Sequence, residues 1–152
     1  MSVRKVVSGG QTGVDRAGLD VAAELDLPCG GWCPRGRRAE DGVIPAAYPL
    51  RETPSPAYAE RTAWNVRDSD GTLILTRGRP RGGTALTVSL GRRQGKPVLV
   101  VDLERGSRVP EARRWLLEGA IEVLNVAGPR ESEAPGIHDQ AAAFLRRLLR
   151  EG

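Results

Sequence analysis

The stretch Ser8-Gly9-Gly10-Gln11-Thr12-Gly13-Val14-Asp15-Arg16 decides how this chain folds. It follows a short apolar run over residues 3–7 and leads into a helical pattern over 13–25, so it predicts a strand, a glycine turn and a helix start. In parallel α/β proteins such a turn lets backbone amides approach an oxyanion, which the positive end of the helix dipole also attracts. The stretch therefore predicts a phosphate cradle at the carboxyl end of the first strand.

A second glycine turn repeats this arrangement later in the chain. Arg81-Gly82-Gly83-Thr84 follows the apolar run over 72–76 and opens another helical pattern. Two such turns in one short chain predict a single anion site to which both contribute. Arg16 and Arg81 are candidate clamps on the anion, because arginine binds phosphate bidentately. The expected phosphate-contacting residues are Gly9, Gly10, Gln11, Thr12, Gly82, Gly83 and Thr84.

Four of the side chains near these turns have two interpretations. Thr12 and Asp15 have the spacing of a capping box, so we expect Asp15 to cap the helix and brace the turn rather than meet a like-charged phosphate. Thr12 either caps or contacts the ligand, and Thr84 either donates to the ligand or only caps its own helix. Trp32 either stacks on a flat ligand ring or packs in a core or an interface.

Strand and helix patterns alternate along the whole chain. Strands are predicted at 3–7, 29–32, 72–76, 98–101 and 121–126, and helices at 13–25, 57–67, 82–95, 110–117 and 136–150. This alternation predicts one α/β domain over 1–152, a Rossmann-like doubly wound parallel sheet of about five strands. We expect the strand order 2-1-3-4-5, which makes the first and third strands neighbours and turns both glycine turns towards one crevice.

The segment 33–56 has no regular pattern but contains interleaved apolar residues such as Ile44, Tyr48 and Leu50. Long irregular segments inside small domains are usually functional or disordered. We interpret this one as an ordered lid, and a solvated basic loop is the alternative.

Charge and composition limit the possible partners. The net charge is +4, and Lys5 and Lys96 are the only lysines among 23 basic residues. The arginines are spread over every element and aromatic residues are few, so we expect no nucleic-acid partner. No apolar run approaches the roughly 20 residues of a membrane helix, and the first residues lack a signal-peptide pattern. We therefore expect a cytoplasmic protein without a membrane partner.

Metal-ligating residues are scarce. Cys29 and Cys33 are the only cysteines, and His138 is the only histidine. Because a structural zinc site normally has four ligands, we expect reduced thiols and no metal site. We place His138 on the surface of the last helix.

The motifs of this chain resemble those of the molybdenum cofactor carrier proteins. This family implies a Rossmann-like fold, a homodimer or homotetramer, and binding of the phosphate of molybdopterin for delivery to molybdoenzymes. Besides residues 8–16, the matching stretches are Gly31-Trp32-Cys33-Pro34-Arg35-Gly36-Arg37-Arg38-Ala39-Glu40-Asp41-Gly42, Tyr48-Pro49-Leu50-Arg51-Glu52-Thr53, Asp68-Ser69-Asp70-Gly71-Thr72, Gly82-Gly83-Thr84 with Thr87, and Asn125-Val126-Ala127-Gly128-Pro129-Arg130-Glu131-Ser132.

The wider superfamily of this resemblance includes nucleoside-monophosphate phosphoribohydrolases, often labelled lysine decarboxylases. Their signature, Pro-Gly-Gly-x-Gly-Thr-x-x-Glu, ends in a catalytic Glu, and Thr87 stands at that position here. Threonine cannot act as a carboxylate base near neutral pH, so we favour a binding protein without catalytic residues, in which Thr87 contacts the ligand. The alternative is an enzyme acting on nucleoside monophosphates with Glu40, Asp41 or Glu52 as its carboxylate.

Overall fold

Nine short strands and five helices form the regular structure of residues 3–150, the part of the chain that this computed structural model describes. The elements in chain order are β1 (Lys5–Val7), α1 (Val14–Glu24), β2 (Cys29–Gly30), β3 (Trp32–Cys33), β4 (Arg38–Ala39), β5 (Gly42–Val43), β6 (Arg51–Glu52), α2 (Tyr58–Arg67), β7 (Gly71–Thr76), α3 (Gly82–Arg93), β8 (Val98–Asp102), α4 (Val109–Glu118), β9 (Val123–Ala127) and α5 (Ile137–Arg150). The α/β alternation that the sequence predicts is confirmed.

A parallel sheet of five strands forms the centre of the molecule, in the order β2-β1-β9-β7-β8. α1 and α4 pack against α5, whereas α2 packs against α3. These two helix groups flank the sheet, so the Rossmann-like doubly wound architecture is confirmed. β7 is buried along its whole length because helices cover both of its faces.

The position of β9 corrects one detail of the expected strand order. The expected order 2-1-3-4-5 places β1 directly beside β7. In the structure β9 lies between them and pairs with both strands: Val7 of β1 lies opposite Asn125 of β9, and Leu73 of β7 lies opposite Val126 of β9. If the strands are numbered from β9, then β9 is strand 1, β1 is strand 2, β2 is strand 3, β7 is strand 4 and β8 is strand 5. In this numbering the sheet has the order 3-2-1-4-5 of a Rossmann sheet. The chain is therefore a Rossmann sheet whose connectivity is rotated by one strand.

The segment 33–56 is ordered, as its apolar residues predict. β3 pairs with β6 in parallel, and β4 pairs with β5 as a small antiparallel hairpin. Arg37 holds the segment together, since its guanidinium donates hydrogen bonds to the carbonyl oxygens of Ile44, Pro45, Tyr48 and Leu50 at 2.8–3.2 Å. A small apolar cluster beneath the segment contains Leu19, Cys33, Ile44 and Leu50.

Candidate functional site

A cleft opens at the carboxyl ends of β1, β9 and β7, between α2 and α3. It lies where the connections leave β9 and β7 in opposite directions, the switch point at which Rossmann-like sheets bind ligands. The lining residues are Gly9, Gln11 and Asp15 after β1; Tyr58, Ala59, Arg61, Thr62 and Asn65 on α2; Gly83, Thr84, Leu86 and Thr87 on α3; Asn125, Ala127 and Gly128 at the end of β9; and Arg130 and Glu133.

The second glycine turn presents free donors at the start of α3. No side chain caps this helix, and within residues 3–150 nothing accepts a hydrogen bond from the amides of Gly82 and Gly83. Thr84 is only 6% exposed, yet its hydroxyl makes no hydrogen bond with a described residue. Thr87 differs, because its hydroxyl donates to the carbonyl oxygen of Gly83 at 2.9 Å. No hydrogen bond therefore supports the interpretation of Thr84 as only a helix cap.

The first glycine turn is largely occupied by the protein itself. The amides of Gln11, Thr12 and Val14 donate to the Asp15 carboxylate, the Gln11 side chain and the Pro129 carbonyl. A side chain at Gly9 would overlap the Arg61 guanidinium, so this glycine makes room for an arginine. The amides of Gln11 and Thr12, which the sequence assigned to a phosphate cradle, thus hold the turn in shape.

The capping box expected from Thr12 and Asp15 does not form. The N-cap of α1 is Gly13, at φ +80°, and no side chain caps it. Thr12 therefore lies one residue outside the helix, where its hydroxyl donates to Glu40 and accepts from the amide of Glu131. Asp15 braces the turn as expected, since its Oδ2 accepts the Gln11 amide at 3.2 Å.

Asp15 and Arg61 form an ion pair at the floor of the cleft. Arg61 Nη1 lies 3.6 Å from Asp15 Oδ2 and donates to the carbonyl oxygen of Gly9 at 2.9 Å. Burial raises the pKa of Asp15 to about 6, although Arg61, the Gln11 amide and Arg16 act in the opposite direction. Perturbed carboxylates of this kind are concentrated at functional sites.

Sequence reasoning missed Arg61 and Arg130 as cleft residues. Arg61 comes from α2, where it stacks over the Tyr58 ring at 5.2 Å, and no motif surrounds it. Arg130 lies in the stretch that follows β9, next to Glu133. The family resemblance includes the stretch 125–132, and this is the sequence signal that points to Arg130.

Several residues expected at the site lie outside the lining of the cleft. Arg16 makes a bidentate ion pair with Asp41 at 2.6 and 2.8 Å and donates to the Gly10 carbonyl. Arg81 and Gly82 are exposed. Gly10 and Thr12 are also absent from the lining.

Trp32 packs in an aromatic cluster away from the cleft. Its indole N–H donates to Asp68 at 2.8 Å, and its ring meets Trp64 edge-on at 4.8 Å. Arg51 covers the ring at 4.5 Å. This arrangement agrees with the interpretation of Trp32 as a packing residue.

His138 is not the simple surface residue that the sequence suggested. Its ring lies between Asp20, at 2.7 Å, and Asp139, at 2.9 Å, and Asp20 also accepts the Tyr48 hydroxyl at 2.7 Å. Burial lowers the pKa of His138, but the hydrogen bonds to Asp139 and Asp20 outweigh burial and leave that pKa raised. We call Asp20, Tyr48 and His138 the latch, because they connect α1 and α5 to the segment 33–56.

The family described as "Circularly permutated YpsA SLOG family" matches residues 6–149. The chain belongs to the circularly permuted YpsA family of SLOG proteins. The permutation in the name of this YpsA family agrees with the rotated strand order of the sheet.

A solved structure from Syntrophus aciditrophicus SB, described as a candidate molybdenum carrier protein, is 44% identical to this YpsA-family chain. The alignment covers 97% of this chain and 96% of the other, with a TM-score of 0.93. The family resemblance inferred from the sequence is thereby confirmed. No curated protein matches the chain.

No helix within residues 3–150 is long and apolar enough to cross a membrane. No group of three or more His, Cys, Asp or Glu side chains in the same range could hold a metal ion.

Proposed function

We propose that the cleft binds a phosphorylated pterin, with molybdenum cofactor as the foremost candidate, for storage, protection and transfer. The observation that carries this proposal is the start of α3, where the Gly82 and Gly83 amides and the Thr84 hydroxyl have no partner within the described residues. Free amides at a helix start suit a phosphate group. The name of the structure from Syntrophus aciditrophicus supports molybdenum cofactor as the cargo.

Positive side chains would assist binding from the opposite side of the cleft. Arg61 uses Nε and Nη1 for hydrogen bonds inside the protein, while its Nη2 makes none to a described residue. Arg130 pairs only loosely with Glu133, at 3.4 Å. Arg61 Nη2 and the Arg130 guanidinium can therefore donate hydrogen bonds to an anionic ligand. Gly9, Gln11 and Thr87 line the same cleft and complete the proposed contact surface.

The proposal also covers the setting in which the protein works. We propose a cytoplasmic homodimer or homotetramer that passes its cargo to apo-molybdoenzymes, without nucleic-acid or membrane partners. Size-exclusion chromatography with light scattering measures the subunit number, and a monomer at micromolar concentration contradicts this part.

Cofactor protection is the direct test of the function. Molybdenum cofactor released from a molybdoenzyme is mixed with the purified protein, and its decay in air is followed by reconstitution of an apo-enzyme. We expect slower decay and binding in the micromolar range. Decay at the rate of a protein-free control, together with no measurable binding, rules out the carrier function.

A second candidate function is hydrolysis of a nucleoside monophosphate, and one observation favours it. The carboxylate of Asp15 lies in the cleft with a pKa of about 6, which suits a general acid or base. The carboxylates first considered, Glu40, Asp41 and Glu52, are instead bonded to Ser132, Arg16 and the Gly36 amide. Incubation with the common nucleoside monophosphates and chromatography for free base tests this candidate, and a blank result removes it.

A further inference from the structure

One oxygen of the Asp15 carboxylate is unused by the protein. Oδ2 accepts the Gln11 amide at 3.2 Å and lies 3.6 Å from Arg61 Nη1. Oδ1 makes no hydrogen bond with a residue in 3–150, although Asp15 is only 6% exposed and lines the cleft. Oδ1 is not sealed in the protein interior but open to the cleft, so N–H groups of a ligand can donate to it.

The chemistry of this carboxylate restricts what can lie against it. An ionised carboxylate only accepts hydrogen bonds, so it repels a phosphate and attracts N–H donors. Its position is fixed from behind, because Arg61 is itself held by the Gly9 carbonyl and by Tyr58. The cleft thus has two regions of opposite preference: the α3 start for an anion, and Asp15 for a donor edge.

We infer that Asp15 recognises the adjacent N–H donors of a 2-amino-4-oxopyrimidine ring, the edge that pterins and guanine share. This inference rests on the proposed function, since it concerns the same cleft and names the feature of the ligand that the cleft selects. The ring N–H and the exocyclic amino group can donate to a carboxylate together. A ring with hydrogen in place of that amino group loses one of these bonds.

A pair of commercial nucleotides isolates this edge. GMP and IMP carry the same phosphate and sugar and differ only in the 2-amino group. Isothermal titration calorimetry is run at pH 8 with each nucleotide against the wild-type protein and Asp15→Asn. Asparagine keeps an acceptor for the Gln11 amide, and a thermal melt verifies that the variant is folded.

Wild-type protein is expected to bind GMP at least tenfold more tightly than IMP, because a hydrogen bond to a charged group is lost with IMP. In Asp15→Asn this preference should fall to about twofold or less, with GMP losing more affinity than IMP, because IMP has only the ring N–H to donate to residue 15. Glu24→Gln is the matched control: Glu24 is on the same helix and carries the same charge, but it pairs with Arg146 outside the cleft. Its preference for GMP should equal that of the wild type.

The outcomes separate this inference from the proposed function. Equal affinity for GMP and IMP, or no measurable binding of either, overturns the role of Asp15 while cofactor protection can still succeed. A preference that survives in Asp15→Asn overturns it too. If GMP is preferred through Asp15 but the cofactor is not protected, the edge recognition holds and the carrier function fails.

Discussion

Thr84 and Gly83 permit a residue-scale test of the anion site. Thr84→Val removes a hydroxyl that no described residue uses, so we expect a melting temperature close to that of the wild type. Loss of a hydrogen bond to a charged phosphate should weaken ligand binding about ten- to hundredfold. Titration calorimetry and a thermal melt on the same sample measure both quantities.

Gly83→Val is the companion variant. A Cβ at Gly83 would meet no protein atom within 4 Å, so the variant should fold while the valine fills the space of the ligand. We expect no detectable binding. A Thr84→Val protein that loses about 1 kcal/mol of stability and binds normally would instead make the α3 start a scaffold.

Asp15 gives a second prediction, on pH and stability. In the unfolded chain Asp15 loses its proton near pH 3.8, whereas in the folded protein it keeps the proton up to about pH 6. The free energy of unfolding therefore falls as the pH rises from about 4 to 6. Asp15→Asn removes this penalty. We expect the variant to be more stable than the wild type by up to about 3 kcal/mol at pH 8 and about equal at pH 3.5.

Urea denaturation at the two pH values measures this difference. If Asp15→Asn is the less stable protein at pH 8, the pairing of Asp15 with Arg61 stabilises the folded protein by more than the burial of Asp15 destabilises it.

Among the residues of the site, the sequence predicts those that belong to a local pattern. The two glycine turns were found because glycine patterns are local, whereas Arg61 reaches Gly9 from 52 positions away and leaves no local signal.

At the scale of elements, Arg37 holds the segment 33–56 in place. Arg37→Ala removes hydrogen bonds to four carbonyl oxygens, each worth about 1 kcal/mol. We expect amide hydrogens of the segment, such as those of Ile44 and Leu50, to exchange at least tenfold faster, while those of β7 stay protected. Arg38→Ala, at an exposed neighbouring position, should leave exchange unchanged.

The latch predicts a pH effect on the same segment. A raised pKa means that protonated His138 stabilises the folded protein below about pH 6.5, and that this contribution is lost as the pH rises through the folded value. His138→Gln should therefore lower stability more at pH 5.5 than at pH 8.5. Equal losses at both pH values would show that the charge of His138 does not contribute.

Sequence patterns located the helices well and the small strands poorly. Each helix has enough apolar periodicity to fix its position within a few residues, as the stripe of Ala141, Leu145 and Leu148 on α5 illustrates. β3 and β6 are two residues long, and Trp32 pairs with Arg51 across the segment. Two residues are too few to show the alternating apolar pattern of a strand, so only their pairing in the folded protein defines such strands.

At the scale of the whole molecule, fold class was predictable and strand order was not. Alternating strands and helices require parallel strands, but they do not state where a late strand inserts. β9 lies between β1 and β7, where Asn125 pairs with Val7 on one side and with Thr72 on the other. The crevice between β1 and β7 was expected from adjacency; the structure builds the cleft across three strands instead.

The late position of β9 has a consequence for synthesis on the ribosome. Until residues 123–127 leave the exit tunnel, the nascent chain holds two separate strand pairs, β1 with β2 and β7 with β8, that share no neighbour. Folding of the sheet must then wait until β9 has been translated, with apolar strand faces exposed to chaperones meanwhile. We expect arrested nascent chains that expose residues up to 118 to be digested rapidly by added protease, and released full-length chains to resist; early resistance would contradict this order of events.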